Sequence, residues 1–276
     1  MTTKFNIHLL PSGINFPASE GLPILQSAFN ADIFLEHGCR DGSCGVCKVR
    51  VLHGDVEQPP ALGGISASDM QEGYVLTCCA SPLSDIELQA NYYPELNGIK
   101  PAILPCKVES LDFPVPDIAI LKLRLPPNTR YRYLAGQYVD LMINGSRRSY
   151  SIASAAQIYN GIELHIKKVT NGLFSNVIFH ELKINQLLRL EGPSGSFFVR
   201  DSQAPIIFLA GGTGFAPVKA MVETLLLEQS QRNIHIYWGM ETSDGFYNGL
   251  GLQWQQHNNN IKYVPVVSGE IGRAHV

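Results

Sequence analysis

Residues 38–47 read Gly-Cys-Arg-Asp-Gly-Ser-Cys-Gly-Val-Cys. Cys39, Cys44 and Cys47 are separated by four and two residues, and a further thiol follows at Cys78. That spacing is the one by which four thiolates hold the two irons of a [2Fe–2S] cluster. The backbone of such a loop must wrap closely around inorganic sulfide, and Gly38, Gly42 and Gly45 supply small volume and access to positive φ. The amides so freed can donate to the sulfurs. Zinc is the alternative, but its tetrahedral sites usually pair two short knuckles and do not embed three cysteines in one glycine-rich loop. Cys106 stands alone in a strand-like stretch and reads as core.

Working outward from the loop, residues 4–10 and 14–17 alternate like two strands joined at Ser12-Gly13, and residues 22–30 carry apolar positions at helical spacing. Strand-like stretches at 47–52, 74–78 and 85–89 complete a small α+β unit over 1–92. Pro94, Gly98, Pro101 and Pro105 then mark a linker, placed at 93–102. Over 103–203 six short alternating strands predict an antiparallel β-barrel, interrupted by one helical stretch, SNVIFHELKI. From 204 to 269 strand and helix alternate: PIIFLA, a glycine turn, an amphipathic helix with Pro217 at its first position, HIYWGM, a weaker helix near 246–257, and IKYVPVV. This predicts a partial α/β unit with a parallel sheet.

The chain has 276 residues, a net charge of −3 and no basic stripe, which argues against nucleic acid as a partner. No apolar run approaches the length of a membrane span, and the start, MTTKFNIHLL, lacks a signal core. Clustered thiols in a chain of this kind point to metal binding in a reducing, cytoplasmic setting.

Arg148-Ser149-Tyr150-Ser151 resembles the RxYS signature of the ferredoxin-NADP reductase family. That resemblance implies FAD lying against this strand. Arg148 would clasp the pyrophosphate, Ser149 would share the site, and Tyr150 and Ser151 would stand at the reacting ring, Tyr150 stacked on it and Ser151 near N5. Gly172-Leu173-Phe174-Ser175 is similar to the family's GxxS element, so Gly172 and Ser175 are implied at phosphate oxygens. His165-Ile166-Lys167-Lys168 and Gly136-Gln137-Tyr138 match weaker stretches, which adds His165 and Lys167 to the flavin set. Gly211-Gly212-Thr213-Gly214-Phe215-Ala216-Pro217 follows a strand and opens a helix, and resembles the family's GGTGxxP turn for the nicotinamide dinucleotide. GYVLTCCAS resembles the ferredoxin pattern in which the cysteine after Leu-Thr is the ligand, making Cys78 the fourth ligand and Cys79 a small buried thiol. The implied fold is thus a β-grasp ferredoxin, a flavin barrel and a nucleotide unit. Glu241, beyond the second strand of that unit, would bond a ribose and repel a 2′-phosphate, favouring NADH over NADPH.

Longer segments, including 84–110, 134–153 and 209–221, resemble those members that serve a dehydrase dependent on pyridoxamine phosphate and an iron–sulfur centre in CDP-3,6-dideoxyhexose biosynthesis. Two other readings stay open: the reductase of an aromatic-ring oxygenase, and an electron carrier that no longer oxidises NADH. The last seven residues, 270–276, are what a common short-read sequencing adapter encodes. They are expected to be non-native, leaving the nucleotide unit cut short.

Overall fold

The alternation in Lys4–Leu10 (β1) buries Ile7 and Leu9 and leaves the intervening side chains toward solvent. This strand founds the first of two units in the computed structural model, which describes residues 3–60 and 62–268. The first unit comprises Met1–Ile99 with Ser194–Phe197, and the second Lys100–Pro193 with Phe198–Val276. Tail residues 270–276 lie outside the described residues.

In the first unit, β1 is joined by β2 (Asn15–Ser19), β3 (Lys48–His53), β5 (Tyr74–Leu76) and β7 (Ile86–Gln89) in a sheet of order β2-β1-β7-β3-β5. β1 and β7 run parallel, and the other pairs are antiparallel. Two-residue strands β4 (Val56–Glu57) and β6 (Ser81–Pro82) pair beside it. Helix α1 (Ile24–Asn30) lays Ile24, Leu25 and Ala28 on the sheet, where Phe16, Leu35 and Leu88 complete a core. The helix starts two residues later than its apolar spacing suggests, because Pro23 sits at its N-cap. A second short helix, α2 (Ala67–Gln71), is closed by a capping box between Ser66 and Asp69.

The second unit begins with β8 (Ala102–Val115), which hairpins into β9 (Ile118–Arg124). With β10 (Tyr138–Ile143), β11 (Ser146–Ser151), β12 (Gly161–Lys167) and β13 (Leu187–Ser194) it forms a six-stranded sheet of order β11-β10-β13-β8-β9-β12. The sheet curls until its two ends touch at the single bridge Ile152↔Leu164, so the expected barrel is a half-barrel closed at one point. The stretch read as one helix is a four-residue turn of helix, α3 (Leu173–Asn176), continuing as a π-turn over Val177–Glu181. Cys106 lies in the barrel core, where burial pushes its thiol up to about 12, as its isolated position suggested.

Three parallel strands follow, β14 (Ile206–Gly211), β15 (Ile234–Met240) and β16 (Ile261–Val267), with α4 (Phe215–Leu227) and α5 (Leu250–His257) as the connections. Helix α4 starts at Phe215, so Pro217 is its third residue and not its first. Its first two turns, Phe215 to Val222, are buried on every side, unlike the one-sided burial of an amphipathic surface helix. Ile118 of the barrel is part of the nucleotide-half core, with Val115 and Ile120 packed against it, so barrel and parallel sheet share apolar packing.

Candidate functional site

The cysteine loop is pinned to a neighbouring turn. Gly64 N–H donates to the Gly42 carbonyl at 2.8 Å, and a Cβ on Gly45, whose φ is +73°, would lie 2.7 Å from the Gly64 carbonyl oxygen. Gly42 and Gly45 have the positive φ the sequence suggested. Gly38 does not; the other left-handed residue of the loop is Arg40 (φ 66°), and Gly38 matters for volume, since its Cβ would stand 3.1 Å from Cys44 Sγ. The amides of Cys39 and Cys44 each donate to the other's sulfur, at 3.4 and 3.3 Å. Cys47 Sγ and Cys78 Sγ are 3.3 Å apart, and Cys79 Sγ lies 3.5 Å from Cys78. The hydrogen bond between Cys47 and Cys78 holds the Cys47 thiol down at about 6, while the same contact pushes Cys78 up. The thiols therefore stand as two pairs, Cys39 with Cys44 and Cys47 with Cys78. Among the described residues no three His, Cys, Asp or Glu side chains gather as a single-ion site. Two pairs suit two irons better than one tetrahedral zinc.

On β11 the side chains alternate, with Arg148 and Tyr150 on one face and Arg147, Ser149 and Ser151 on the other. Arg147 is already neutralised: its Nη2 meets Asp140 at 2.5 Å and Glu191 at 2.7 Å. Ser149 Oγ donates to Asp140 as well, so Ser149 is a prop of this clamp and not a free donor. Among the described residues no carboxylate pairs with Arg148, which leaves its fork available to a pyrophosphate. Tyr150 packs near Phe174 of α3, ring centroids 6.0 Å apart, and burial pushes its phenol up to about 12, so it stays neutral. Gly172 and Ser175 shape the α3 turn, since the Gly172 amide donates to the Val169 carbonyl and Ser175 Oγ accepts from the Val169 amide. The Gly172 amide is therefore used internally, which departs from its expected role as a phosphate donor, whereas the Ser175 hydroxyl acts here as an acceptor and keeps its own proton to donate.

The glycine turn Gly211–Gly214 leaves β14 and enters α4, and Gly212 (φ +53°) opens onto a cavity of about 440 Å³. Its lining includes Gly211, Gly239, Glu241, Asp244 and Lys167. The cavity lies beyond the carboxyl ends of β14 and β15, where open parallel sheets take their ligands. Lys167, expected with the flavin, lines this cavity. Thr213 and Gly214 complete the turn, whereas Pro217 lies inside the helix. Asp244, which no motif singled out, is held below the usual carboxylate range by its bond to Thr242, so two negative charges face the cavity.

Family models for a 2Fe-2S iron-sulfur cluster binding domain, an oxidoreductase FAD-binding domain and an oxidoreductase NAD-binding domain match residues 7–83, 105–199 and 208–274. The chain is 52% identical over 267 residues to the CDP-6-deoxy-L-threo-D-glycero-4-hexulose-3-dehydrase reductase of Yersinia pseudotuberculosis, covering 97% of this chain and 81% of that protein. It belongs to the ferredoxin-NADP reductase-like family with an N-terminal [2Fe–2S] domain. Terephthalate 1,2-dioxygenase reductase component 1 of Comamonas is 34% identical over 265 residues, covering 95% of this chain and 78% of that one. The crystal structure of Amycolatopsis cytochrome P450 reductase GcoB superimposes with a TM-score of 0.75 at 26% identity, covering 95% of this chain and 80% of that chain. This family member is an oxidoreductase with domains for a [2Fe–2S] cluster, FAD and a nicotinamide dinucleotide. Among its described residues no helix is long and apolar enough to cross a membrane.

One group in this reductase escaped sequence reading. Glu163 and His165 of β12 point outward from the barrel, yet they are 8% and 3% exposed. His165 is not available to a flavin: Nε2 donates to Glu163 Oε1 at 3.0 Å, and Nδ1 accepts from Tyr247 Oη at 2.9 Å. Burial pushes the Glu163 carboxyl up, but the His165 bond and the Lys219 charge outweigh it and hold the group below its ordinary 4.5. Lys219 of α4 meets Glu163 at 3.2 Å and Glu223 at 2.8 Å, and donates to the Ala153 carbonyl at 3.0 Å.

Proposed function

We propose that this chain carries electrons from NADH to a dehydrase acting on a CDP-bound 6-deoxy-4-hexulose, using FAD and then the [2Fe–2S] cluster as carriers. The observation that carries the reading is 52% identity, over nearly the whole chain, to a reductase named for that dehydrase. The ring-oxygenase reading rests on relatives at 34% identity and ranks below it. FAD supplies the exchange between a hydride, which brings two electrons at once, and the single electrons a cluster accepts. The residues provide placement: Arg148 holds the pyrophosphate, and Tyr150 and Ser151 border the reacting ring. Gly211 to Gly214 bring backbone close to the dinucleotide, and Cys39, Cys44, Cys47 and Cys78 hold the irons. Glu241 and Asp244 oppose a 2′-phosphate and so favour NADH.

In this reading the dehydrase depends on pyridoxamine phosphate and an iron–sulfur centre of its own, and the sugar stays on that partner. The reductase works in the cytoplasm, whose reducing setting keeps clustered thiols available to iron. The test is an anaerobic NADH titration of the holoprotein, followed through flavin and cluster absorbance, with and without the dehydrase. Reoxidation that depends on the dehydrase and its sugar nucleotide supports the reading; reoxidation only by a ring-hydroxylating oxygenase overturns it.

A further inference from the structure

The side chains behind the glycine turn form a closed circuit. Trp238 Nε1 donates to the Gly212 carbonyl at 2.9 Å, and its ring meets Tyr247 edge-on at 5.0 Å. Tyr247 donates to His165, His165 donates to Glu163, and Glu163 faces Lys219. Lys219, one helical turn past the glycines, closes the circuit on the Ala153 carbonyl, two residues beyond Ser151. Ala153 is held from the other side too, its amide donating to the Glu163 carbonyl at 2.8 Å.

Stability alone does not account for this arrangement. Replacing an ammonium buried between carboxylates, partners included, by well-packed apolar side chains of the same size is often neutral or stabilising. Here Lys219 is 8% exposed, and Glu223 Oε2 is buried with no hydrogen-bond partner among the described residues. What the charged group offers, and an apolar one would not, is direction. Its bond to the Ala153 carbonyl ties the helix that carries the nucleotide turn to the chain just past Tyr150 and Ser151, and its contact with Glu163 ties that helix to β12, while Glu223 holds the ammonium from within the same helix.

The geometry points to Lys219 as a positioning residue for hydride transfer, fixing the nucleotide turn against the flavin strand through Ala153 and Glu163. This rests on the proposed placement of FAD on β11 and of the dinucleotide at the glycine turn. Lys219 touches neither cofactor; it sets the distance between the elements that do. A displacement of ~1 Å between reacting centres costs on the order of 100-fold in rate.

The test compares the wild-type holoprotein with Lys219→Met/Glu223→Gln, which removes both charges together, and with Lys219→Gln, which keeps a donor for Ala153. Four quantities are read: FAD per chain, hydrogen exchange of the 211–217 amides, NADH Kd, and the limiting rate of flavin bleaching in anaerobic stopped flow. The expected result for the double variant is unchanged FAD, a Kd within about threefold, faster exchange at 211–217, and a limiting rate lower by roughly 100-fold. Lys219→Gln should fall between it and wild type. A wild-type limiting rate in the double variant overturns the proposal, as does loss of FAD with an unchanged rate per bound flavin. If the double variant yields no folded protein, Lys219→Gln decides, and a wild-type rate there overturns it. Arg148→Ala separates the underlying reading: undiminished FAD affinity in that variant refutes the flavin placement, whatever Lys219 does.

Discussion

Gly45→Ala tests how the cysteine loop is held, and the fold provides a matched comparison. Gly45 and Gly13 have nearly the same φ, +73° and +72°, but a Cβ on Gly13 would meet nothing within 4 Å, whereas one on Gly45 would lie 2.7 Å from the Gly64 carbonyl oxygen. Holding an alanine in that conformation costs ~1 kcal/mol at either position. At Gly45 the Gly64 turn must also retreat by several tenths of an ångström. That movement stretches the 2.8 Å bond from Gly64 N–H to Gly42, which pins the loop. Losing that bond and crowding the turn adds ~2 kcal/mol. The added strain corresponds to about 30-fold in the population of an open loop. The assay is chelator-driven bleaching of cluster absorbance in the full holoprotein. Gly45→Ala should bleach about 30-fold faster than Gly13→Ala, which should stay near wild type. Equal bleaching of the two variants would refute the argument, because it would leave the Gly64 contact without consequence.

Cys78→Ser should abolish visible cluster absorbance while Cys79→Ser keeps it, as read by iron content and the visible spectrum; the reverse pattern would reassign the fourth ligand. Neutralising both Glu241 and Asp244 with alanine should raise kcat/KM for NADPH by at least about tenfold while changing NADH less, since a 2′-phosphate no longer meets like charge. Glu163 is held below its ordinary 4.5 in the folded chain, so its contribution is fully present above that pH and is lost as pH falls through the lowered value. Glu163→Gln should therefore flatten the acid limb of Tm against pH below about 4.5, with little change in the shape of the curve at neutral pH.

The sequence disclosed those parts of the molecule where backbone geometry leaves few residue choices. The spacing of Cys39, Cys44 and Cys47, and the glycines at 211, 212 and 214, could be read because a cluster loop and a phosphate turn admit little else. The barrel strands were legible from alternation, and the parallel sheet from strands that alternate with helices. What escaped was contact between elements distant in sequence. Ile-Glu-Leu-His-Ile at 162–166 alternates like a half-exposed strand, yet both faces of β12 are covered, and Glu163 and His165 are buried against α4 and Tyr247. His165 joins the flavin set only through the likeness of 165–168 to a family stretch, and no motif singles out Lys219. Likewise, nothing in Arg147-Arg148 says which arginine is occupied; that depends on Asp140 and Glu191 from two other strands.

The two-sided burial of β12 also limits how this molecule can be divided. Excising the barrel near residue 204 would expose Glu163 and His165 together with Ile118, which belongs to the nucleotide-half core. The freed piece would carry an uncompensated carboxylate beside a wet apolar patch, a surface prone to self-association. Recombination that exchanges nicotinamide specificity between such reductases would therefore succeed most readily when flavin barrel and nucleotide half travel as one inherited block.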